Sequence, residues 1–373
     1  MLKRIYIDNY KSLVNFELSL DSISLFVGAN GSGKSAVFEV LQKIRDFALG
    51  KGKIADLFLP DNRTRWQTLS TQTFELEVER DTDSKYKYEL AIEHDESGKN
   101  VHVKYERLWV NQNPLLKFES DEIQLYNDNY SEGPKYPYDG VLSAIQSITP
   151  RNDNKRLTWF KEQLERYIVT HPIPSLIEEE SAFEVSSPSI SLSNYVSWYR
   201  HLSQDQGMAY QLTSALRETL PGFQYFKFEN VGRQQRLLMA YFQIEDNQSV
   251  GYRFSELSDG QRMLIALYTL LHLNQGGSQR KYILCIDEPE NFVALPEIQP
   301  WLTELYDRCN NSGLQALLIS HHPESLNYLL ASPIGYWFER QNNGPTRVKQ
   351  IQVDDEDGLP VSELIARGWL MNE

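Results

Sequence analysis

Apolar positions recur with different periods along this chain, and the changes of period divide it. Between residues 2 and 27, Leu2, Ile5 and Ile7, then Phe16, Leu18 and Leu20, alternate with polar neighbours, which predicts two half-buried strands. Ile23, Leu25, Phe26 and Val27 form a continuous apolar run, a buried strand, and Val37, Val40, Leu41, Ile44 and Phe47 then recur at helical spacing. Alternation returns over 73–78, 85–92 and 101–110, with polar turns between, so an antiparallel meander is expected. The polar, Gly/Pro-punctuated stretch 127–139 reads as a loop. Helical pieces are expected near 140–148, 156–168, 191–205 and 208–219, interrupted at His171-Pro172-Ile173-Pro174 and Ser186-Ser187-Pro188. After 250, helices (263–273, 298–310) alternate with strands (282–286, 314–319, 334–339, 347–353), before a short helix at 361–367.

The expected organisation is an α/β head from 1–60 and 250–373, an antiparallel β-lobe over 61–139 and a mainly helical insertion over 140–249. With 373 residues, 41% of them hydrophobic, the chain can bury a large core in two structural regions. A net charge of −14 opposes nucleic-acid binding by general attraction. Local basic groups remain at 151–156 and at Arg233 and Arg236; they read first as solvated helix ends and loops, second as a contact surface. Cys285 and Cys309 lack metal-like spacing and suit a reducing compartment. The longest apolar stretch, 263–273, is too short to span a bilayer, so a soluble, cytoplasmic protein without a membrane partner is expected.

The chemistry concentrates at a few strand ends. Gly28-Ala29-Asn30-Gly31-Ser32-Gly33-Lys34-Ser35 fits G-x-x-x-x-G-K-[ST] between a strand and a helix. Glycines let backbone N–H groups wrap a phosphate at a helix N-terminus; Lys34 would reach the β- and γ-phosphates of ATP, and Ser35 would bind Mg²⁺. A chance Gly-rich turn is the bland alternative, and the flanking strand and helix argue against it. The apolar strand ending Asp287-Glu288-Pro289-Glu290 supplies a carboxylate for Mg²⁺, Asp287, and one to polarise an attacking water, Glu288. Alone it could be an ordinary loop entry.

Leu257-Ser258-Asp259-Gly260-Gln261-Arg262 looks like the signature motif of ABC ATPases, about 30 residues before that strand; as a bare string it is a capped helix start. Leu317-Leu318-Ile319-Ser320-His321-His322 is a strand ending in His, matching the family's H-loop, with His321 ahead of His322. In this order the motifs resemble ABC-type ATPases. The opening, Asn9-Tyr10-Lys11-Ser12, with the phosphate loop that follows, is similar to the RecF, SMC and OLD-like branch, whose bacterial single-head members are often found in phage-defence operons. The resemblance covers residues 1–50 and 250–373; over the middle it is architectural.

That resemblance implies an ABC-type P-loop ATPase head carrying an antiparallel β-lobe and an inserted mainly helical region. It implies a homodimer, or a higher oligomer, closed by ATP, in which Gly28, Asn30, Gly31, Ser32, Gly33, Lys34 and Ser35 hold a nucleotide whose γ-phosphate the other subunit's Ser258 and Gly260 touch. Lys34, Glu288 and His321 would be catalytic, Ser35 and Asp287 the metal residues, and Lys11 a further phosphate contact. A Q-loop glutamine should follow the β-lobe, and Gln146 is the candidate. Where relatives often read Glu-Asn-x-x-His-Pro, this chain reads Glu290-Asn291-Phe292-Val293-Ala294-Leu295-Pro296, with Leu295 before the proline in the histidine's place. No sustained heptads predict a long coiled coil, and no Toprim nuclease module is expected. The function so implied is an ATP-hydrolysing switch in an anti-phage or toxin–antitoxin-like system, controlling a separately encoded nuclease or toxin. A RecF-like DNA-maintenance ATPase is the second reading. A transporter ATPase or a scaffold with a degenerate site are less favoured, the first by the RecF-like opening, the second by the full set of catalytic residue types.

Overall fold

The computed structural model describes residues 1–95, 100–244, 248–274, 282–321 and 334–351. They form two units: 1–167 with the returning segment 334–351, and 168–321. The first opens with β1 (Leu2–Asp8), β2 (Phe16–Ser19), β3 (Ile23–Gly28), α1 (Lys34–Ala48) and the short α2 (Ile54–Leu57). It continues through β4 (Thr71–Asp81), β5 (Ser84–His94), β6 (Val101–Val110), β7 (Asn113–Glu119), β8 (Glu122–Tyr126), β9 (Glu132–Pro137) and α3 (Lys155–Glu165).

Eight of these strands make one antiparallel sheet in the order β2-β1-β4-β5-β6-β7-β8-β9. The predicted alternation places Phe74, Leu76 and Val78 of β4 on the buried face. On the other face Arg4 donates to Glu75 at 2.8 Å and Glu77 at 3.0 Å, cross-strand charge pairs that suit a solvated face. The apolar stripe of α1 (Val37, Val40, Leu41, Ile44, Phe47) is wholly buried, as its spacing predicts.

Two local expectations for this unit are corrected. Residues 132–137, predicted as loop, form the edge strand β9, where Pro134 and Pro137 forfeit no ladder bond on the outer side. Residues 140–148 are turns rather than helix. The buried Glu106 carboxylate on β6 accepts from the Tyr88 hydroxyl (2.9 Å), the Ser143 hydroxyl (2.7 Å) and the Ala144 N–H (2.6 Å), pinning that segment as a turn. Burial pushes the Glu106 carboxyl above its ordinary range, and these hydrogen bonds oppose the shift.

The second unit begins within β10 (Tyr167–Thr170) and contains β11 (Glu180–Ser181), α4 (Tyr195–Leu202), α5 (Gln206–Thr219), β12 (Phe223–Val231), β13 (Gln235–Gln243) and β14 (Ser249–Arg253). Then come α6 (Asp259–Leu271), β15 (Ile283–Asp287), α7 (Leu295–Asn311) and β16 (Gln315–Ile319). Strands β11 to β14 form a small antiparallel sheet, a feature not separated from the helical pieces in the sequence. Its hairpin turns at Gly232, whose φ of +67° suits glycine, and Tyr225 stacks on its cross-strand partner Tyr241 at 4.8 Å. β15 runs parallel to β16, with Asp287 opposite Ile319, and β10 lies on the other side of β15. Both strands are continuous apolar runs because both faces are covered.

The chain returns to the first unit as β17 (Ile334–Glu339), parallel to β3, and β18 (Arg347–Gln350), antiparallel to β17. Phe338 packs on Phe26 at 5.1 Å. The strand predicted over 347–353 is described to Gln350, and the helix predicted at 361–367 lies outside the described residues. Cys285 and Cys309 are free and buried; burial raises both thiols, Cys309 to about 12, so neither is a nucleophile near neutral pH. No helix among the described residues is long and apolar enough to cross a membrane.

Candidate functional site

In the first unit, β3 delivers the chain into a tight loop at the N-terminus of α1. Gly28 has φ +144° and lies so close to β17 that a Cβ would stand 2.1 Å from the Phe338 carbonyl oxygen. Gly33, at φ +105°, leaves room of the same kind: a Cβ there would meet the Thr346 hydroxyl at 2.4 Å and the Ser12 hydroxyl at 2.9 Å. Both glycines are therefore required by backbone conformation and by close approach. Gly31 also has positive φ (+76°), but its side faces open space. The Lys34 ammonium is buried in the curl of the loop and donates to the carbonyls of Gly28 (2.7 Å) and Ala29 (3.0 Å). Ser32 is buried; Asn30 and Ser35 are exposed.

The loop is braced from two sides. The Thr346 hydroxyl lies 2.8 Å from both the Ser12 hydroxyl and the Ser32 carbonyl, and the Thr346 N–H donates to the Ser12 carbonyl at 2.8 Å. Arg340 donates to the Gly31 carbonyl at 3.0 Å. Behind Ser12, buried Asn9 donates to the carbonyls of Leu69 (2.8 Å) and Thr71 (2.9 Å), which explains an asparagine held at φ +60°. Lys11 pairs with Glu39 on α1. Arg340 and Thr346 had no sequence signal: they lie some three hundred residues from the loop and belong to no motif.

In the second unit, the carboxyl ends of β15 and β16 bring the predicted carboxylates and histidine together. Asp287 ends β15; Glu288 follows at φ +55° and donates its N–H to the Ile319 carbonyl at 2.9 Å. His321 Nε2 stands 3.6 Å from Glu288 Oε1, and Asn291 donates to the other Glu288 oxygen at 2.5 Å. The Ser320 hydroxyl (2.6 Å) and the His321 N–H (3.1 Å) both donate to Glu290, which fixes the strand end carrying the histidine. His322 lies outside the described residues.

Ser258 caps α6 with a reciprocal pair: its hydroxyl accepts from the Gln261 N–H (3.2 Å), and the Gln261 side chain accepts from the Ser258 N–H (3.0 Å). At Gly260 a Cβ would stand 2.9 Å from the Phe292 carbonyl oxygen, so the loop after β15 passes directly over the start of α6. Phe292 itself is 55% exposed at φ +70°.

Gln146 does not join the phosphate loop of its own unit. Its side chain packs against Gly50, beyond the C-terminus of α1, and its carbonyl accepts from Lys161 at 2.8 Å. The phosphate loop is at the other end of that 15-residue helix, about 22 Å away at ~1.5 Å per residue. Order along the chain, a glutamine after the β-lobe, does not fix the residue's place in the fold. Two of the three basic residues at 151–156 are locally engaged: Arg151 pairs with Asp153 at 3.1 Å, and Arg156 donates to the Tyr130 hydroxyl at 2.8 Å.

No group of three or more His, Cys, Asp or Glu side chains placed to hold a metal occurs among the described residues. The donor chemistry nevertheless fits Mg²⁺, which takes one or two protein oxygens and completes its octahedron with phosphate and water. Asp287 and the Ser35 hydroxyl are oxygen donors of that kind.

A strand–glycine loop–helix with an inward lysine, parallel strands ending in paired carboxylates and a histidine, and a large antiparallel sheet define the class: a P-loop ATPase with an ABC-type head. Residues 23–327 match the family described as "AAA domain, putative AbiEii toxin, Type IV TA system", and the chain belongs to it. No curated protein matches the chain. Among solved structures it is similar to the SMC head domain from Thermotoga maritima, with 14% identity and TM-score 0.48 over 94% of this chain and 99% of that one. It is also similar to the Smc head domain with an extended coiled coil from Pyrococcus furiosus, solved bound to the C-terminal domain of ScpA. That match has 10% identity and TM-score 0.50 over 98% of this chain and 99% of that one. At such identity the second likeness is one of fold.

Proposed function

We propose that this chain is a Mg²⁺-dependent ATPase, converting ATP to ADP and phosphate, that closes on ATP as a homodimer or higher oligomer. It would act as the regulatory subunit of an OLD-like phage-defence or toxin–antitoxin-like system, with a separately encoded nuclease or toxin as its output. The observation that carries the reading is the 3.6 Å approach of His321 to Glu288 at neighbouring strand ends, a base with its histidine beside it. Glu288 orients and deprotonates the attacking water, His321 steadies that arrangement and the γ-phosphate, and Lys34 neutralises charge on the phosphates. Asp287 and Ser35 would hold Mg²⁺, which would supply charge neutralisation at the phosphates. Ser258 and Gly260, at the exposed start of α6, meet the γ-phosphate held by the other subunit. The family description supports the toxin–antitoxin setting.

Sedimentation with and without ATP tests the switch. Glu288→Gln should accumulate as an ATP-bound dimer that does not turn over, and Lys34→Ala should remain monomeric with nucleotide binding abolished. Equal association of both variants in both conditions would defeat the mechanism. Affinity purification of Glu288→Gln from the native host with ATP tests the output: co-elution of a nuclease or toxin is expected, and DNA alone would favour the RecF-like reading.

A further inference from the structure

His171 immediately follows β10, the strand beside β15, and its Nδ1 lies 3.9 Å from Asp287 Oδ2. The ring is held in place by its backbone. The His171 N–H donates to the Ile190 carbonyl at 2.7 Å, and the Ile173 N–H to the Ser191 carbonyl at 3.1 Å. Pro172 confines His171 to extended conformations. The Pro174 carbonyl accepts from Arg262 at 2.8 Å, and Arg262 also pairs with Asp259 at 2.6 Å, so this short segment is tied to the first turns of α6.

The histidine side chain is 43% exposed, yet Nδ1 itself is buried and has no hydrogen-bond partner among the described residues. Leaving a buried ring nitrogen unpaired costs about 1–3 kcal/mol, so this atom has a use. A separation of 3.9 Å is too long for a direct hydrogen bond. It matches two groups sharing one water: two bonds of ~2.8 Å meeting at about a right angle span about 4 Å.

We propose that His171 is a positioning residue of the Mg²⁺ corner, holding jointly with Asp287 a water of the ion's coordination shell. Mg²⁺ gives up its waters reluctantly and demands near-octahedral geometry, so a protein group that orients one of those waters contributes to affinity without ligating the ion. Partners of this outer kind typically matter by about 10–100-fold in metal affinity. The inference rests on the reading of Asp287 as the carboxylate that holds Mg²⁺.

Mn²⁺ titration followed by electron paramagnetic resonance, with a non-hydrolysable ATP analogue bound to the full chain, tests it. His171→Ala should weaken Mn²⁺ binding about tenfold, while nucleotide affinity measured in EDTA stays at the wild-type value. His171→Gln, whose amide reaches the same water, should recover most of the loss. Wild-type Mn²⁺ affinity in His171→Ala would overturn the proposal, as would a parallel fall of nucleotide affinity in EDTA, which marks a merely structural ring. Asp287→Asn separates the two readings. No loss of Mn²⁺ there overturns the metal assignment and the His171 role with it; loss there with none in His171→Ala overturns the His171 role alone.

Discussion

The phosphate loop and the carboxylate corner are built on opposite plans. Around the loop, glycines permit contacts that any side chain would block, and Thr346, Ser12, Arg340 and Lys34 fill the loop's own polar demands. At the corner, Glu288 sits in a left-handed conformation, 28% exposed in its side chain, and touches His321 only at 3.6 Å. The first is a mould set before any ligand arrives. The second holds partly exposed side chains on a strained backbone steadied by Asn291 and Glu290, and groups assigned to chemistry are the usual place for such strain. Binding and turnover should therefore respond to different substitutions.

The largest effect should come from Gly28→Ala. Its Cβ would lie 2.1 Å from a backbone oxygen that cannot step aside, and about 4 kcal/mol or more should be lost in urea unfolding, with ATP affinity. Gly31→Ala, facing open space at φ +76°, should cost about 1 kcal/mol. Similar losses at the two positions would break the picture of a mould.

Next comes pH. His94 Nε2 contacts the Gln72 side-chain oxygen at 2.9 Å, and Gln72 donates to the Asn9 carbonyl at 2.8 Å, so this pair stands behind the segment bracing the loop. Burial depresses the His94 imidazole to about 4. The unfolded chain takes up that proton near pH 6.5 and the folded chain only near 4. The associated stability is complete above pH 6.5 and falls between 6.5 and 4, by up to about 3 kcal/mol. His94→Gln should flatten that part of the urea-midpoint profile, and an unchanged slope would refute it.

Thr346→Val should cost about 1–2 kcal/mol through the hydrogen bonds lost to Ser12 and Ser32. It should weaken ATP binding while phosphate release at saturating ATP stays close to wild type. The smallest change in stability is expected at the corner. Glu288→Asn replaces a strained residue by one that accepts φ +55° more readily, and should raise thermal stability by about 0.5 kcal/mol while hydrolysis falls at least ~100-fold. A destabilised variant would mean that the corner is as tightly determined as the loop.

The parts legible in sequence were those in which a short run carries both its element and its chemistry. Gly28 to Ser35 announced a strand, a turn and a helix at once, and the alternation of β4, β5 and β6 announced their pairing. Residues whose meaning comes from topology were not legible. His171 reads as a turn residue before proline until β10 is seen beside β15. Thr346 is an ordinary threonine until β18 returns to the phosphate loop, and the order of Gln146 along the chain says nothing of its place beside Gly50, past the far end of α1. The turn at 140–148 escaped because its cause, Glu106, is a single buried carboxylate on another strand. The hairpin at 223–243 did carry a period of two; the surrounding helical pieces masked it.

The cap on α6 limits what evolution can place at position 258. Asp, Asn, Ser and Thr all stop a helix well by accepting N–H bonds. The Ser258 hydroxyl already accepts from Gln261 and still owns a hydrogen that it can donate. An aspartate would keep the helix and repel an anion; an alanine would lose both. A hydroxyl is thus the smallest group able to close the helix behind it and offer a proton to whatever docks in front.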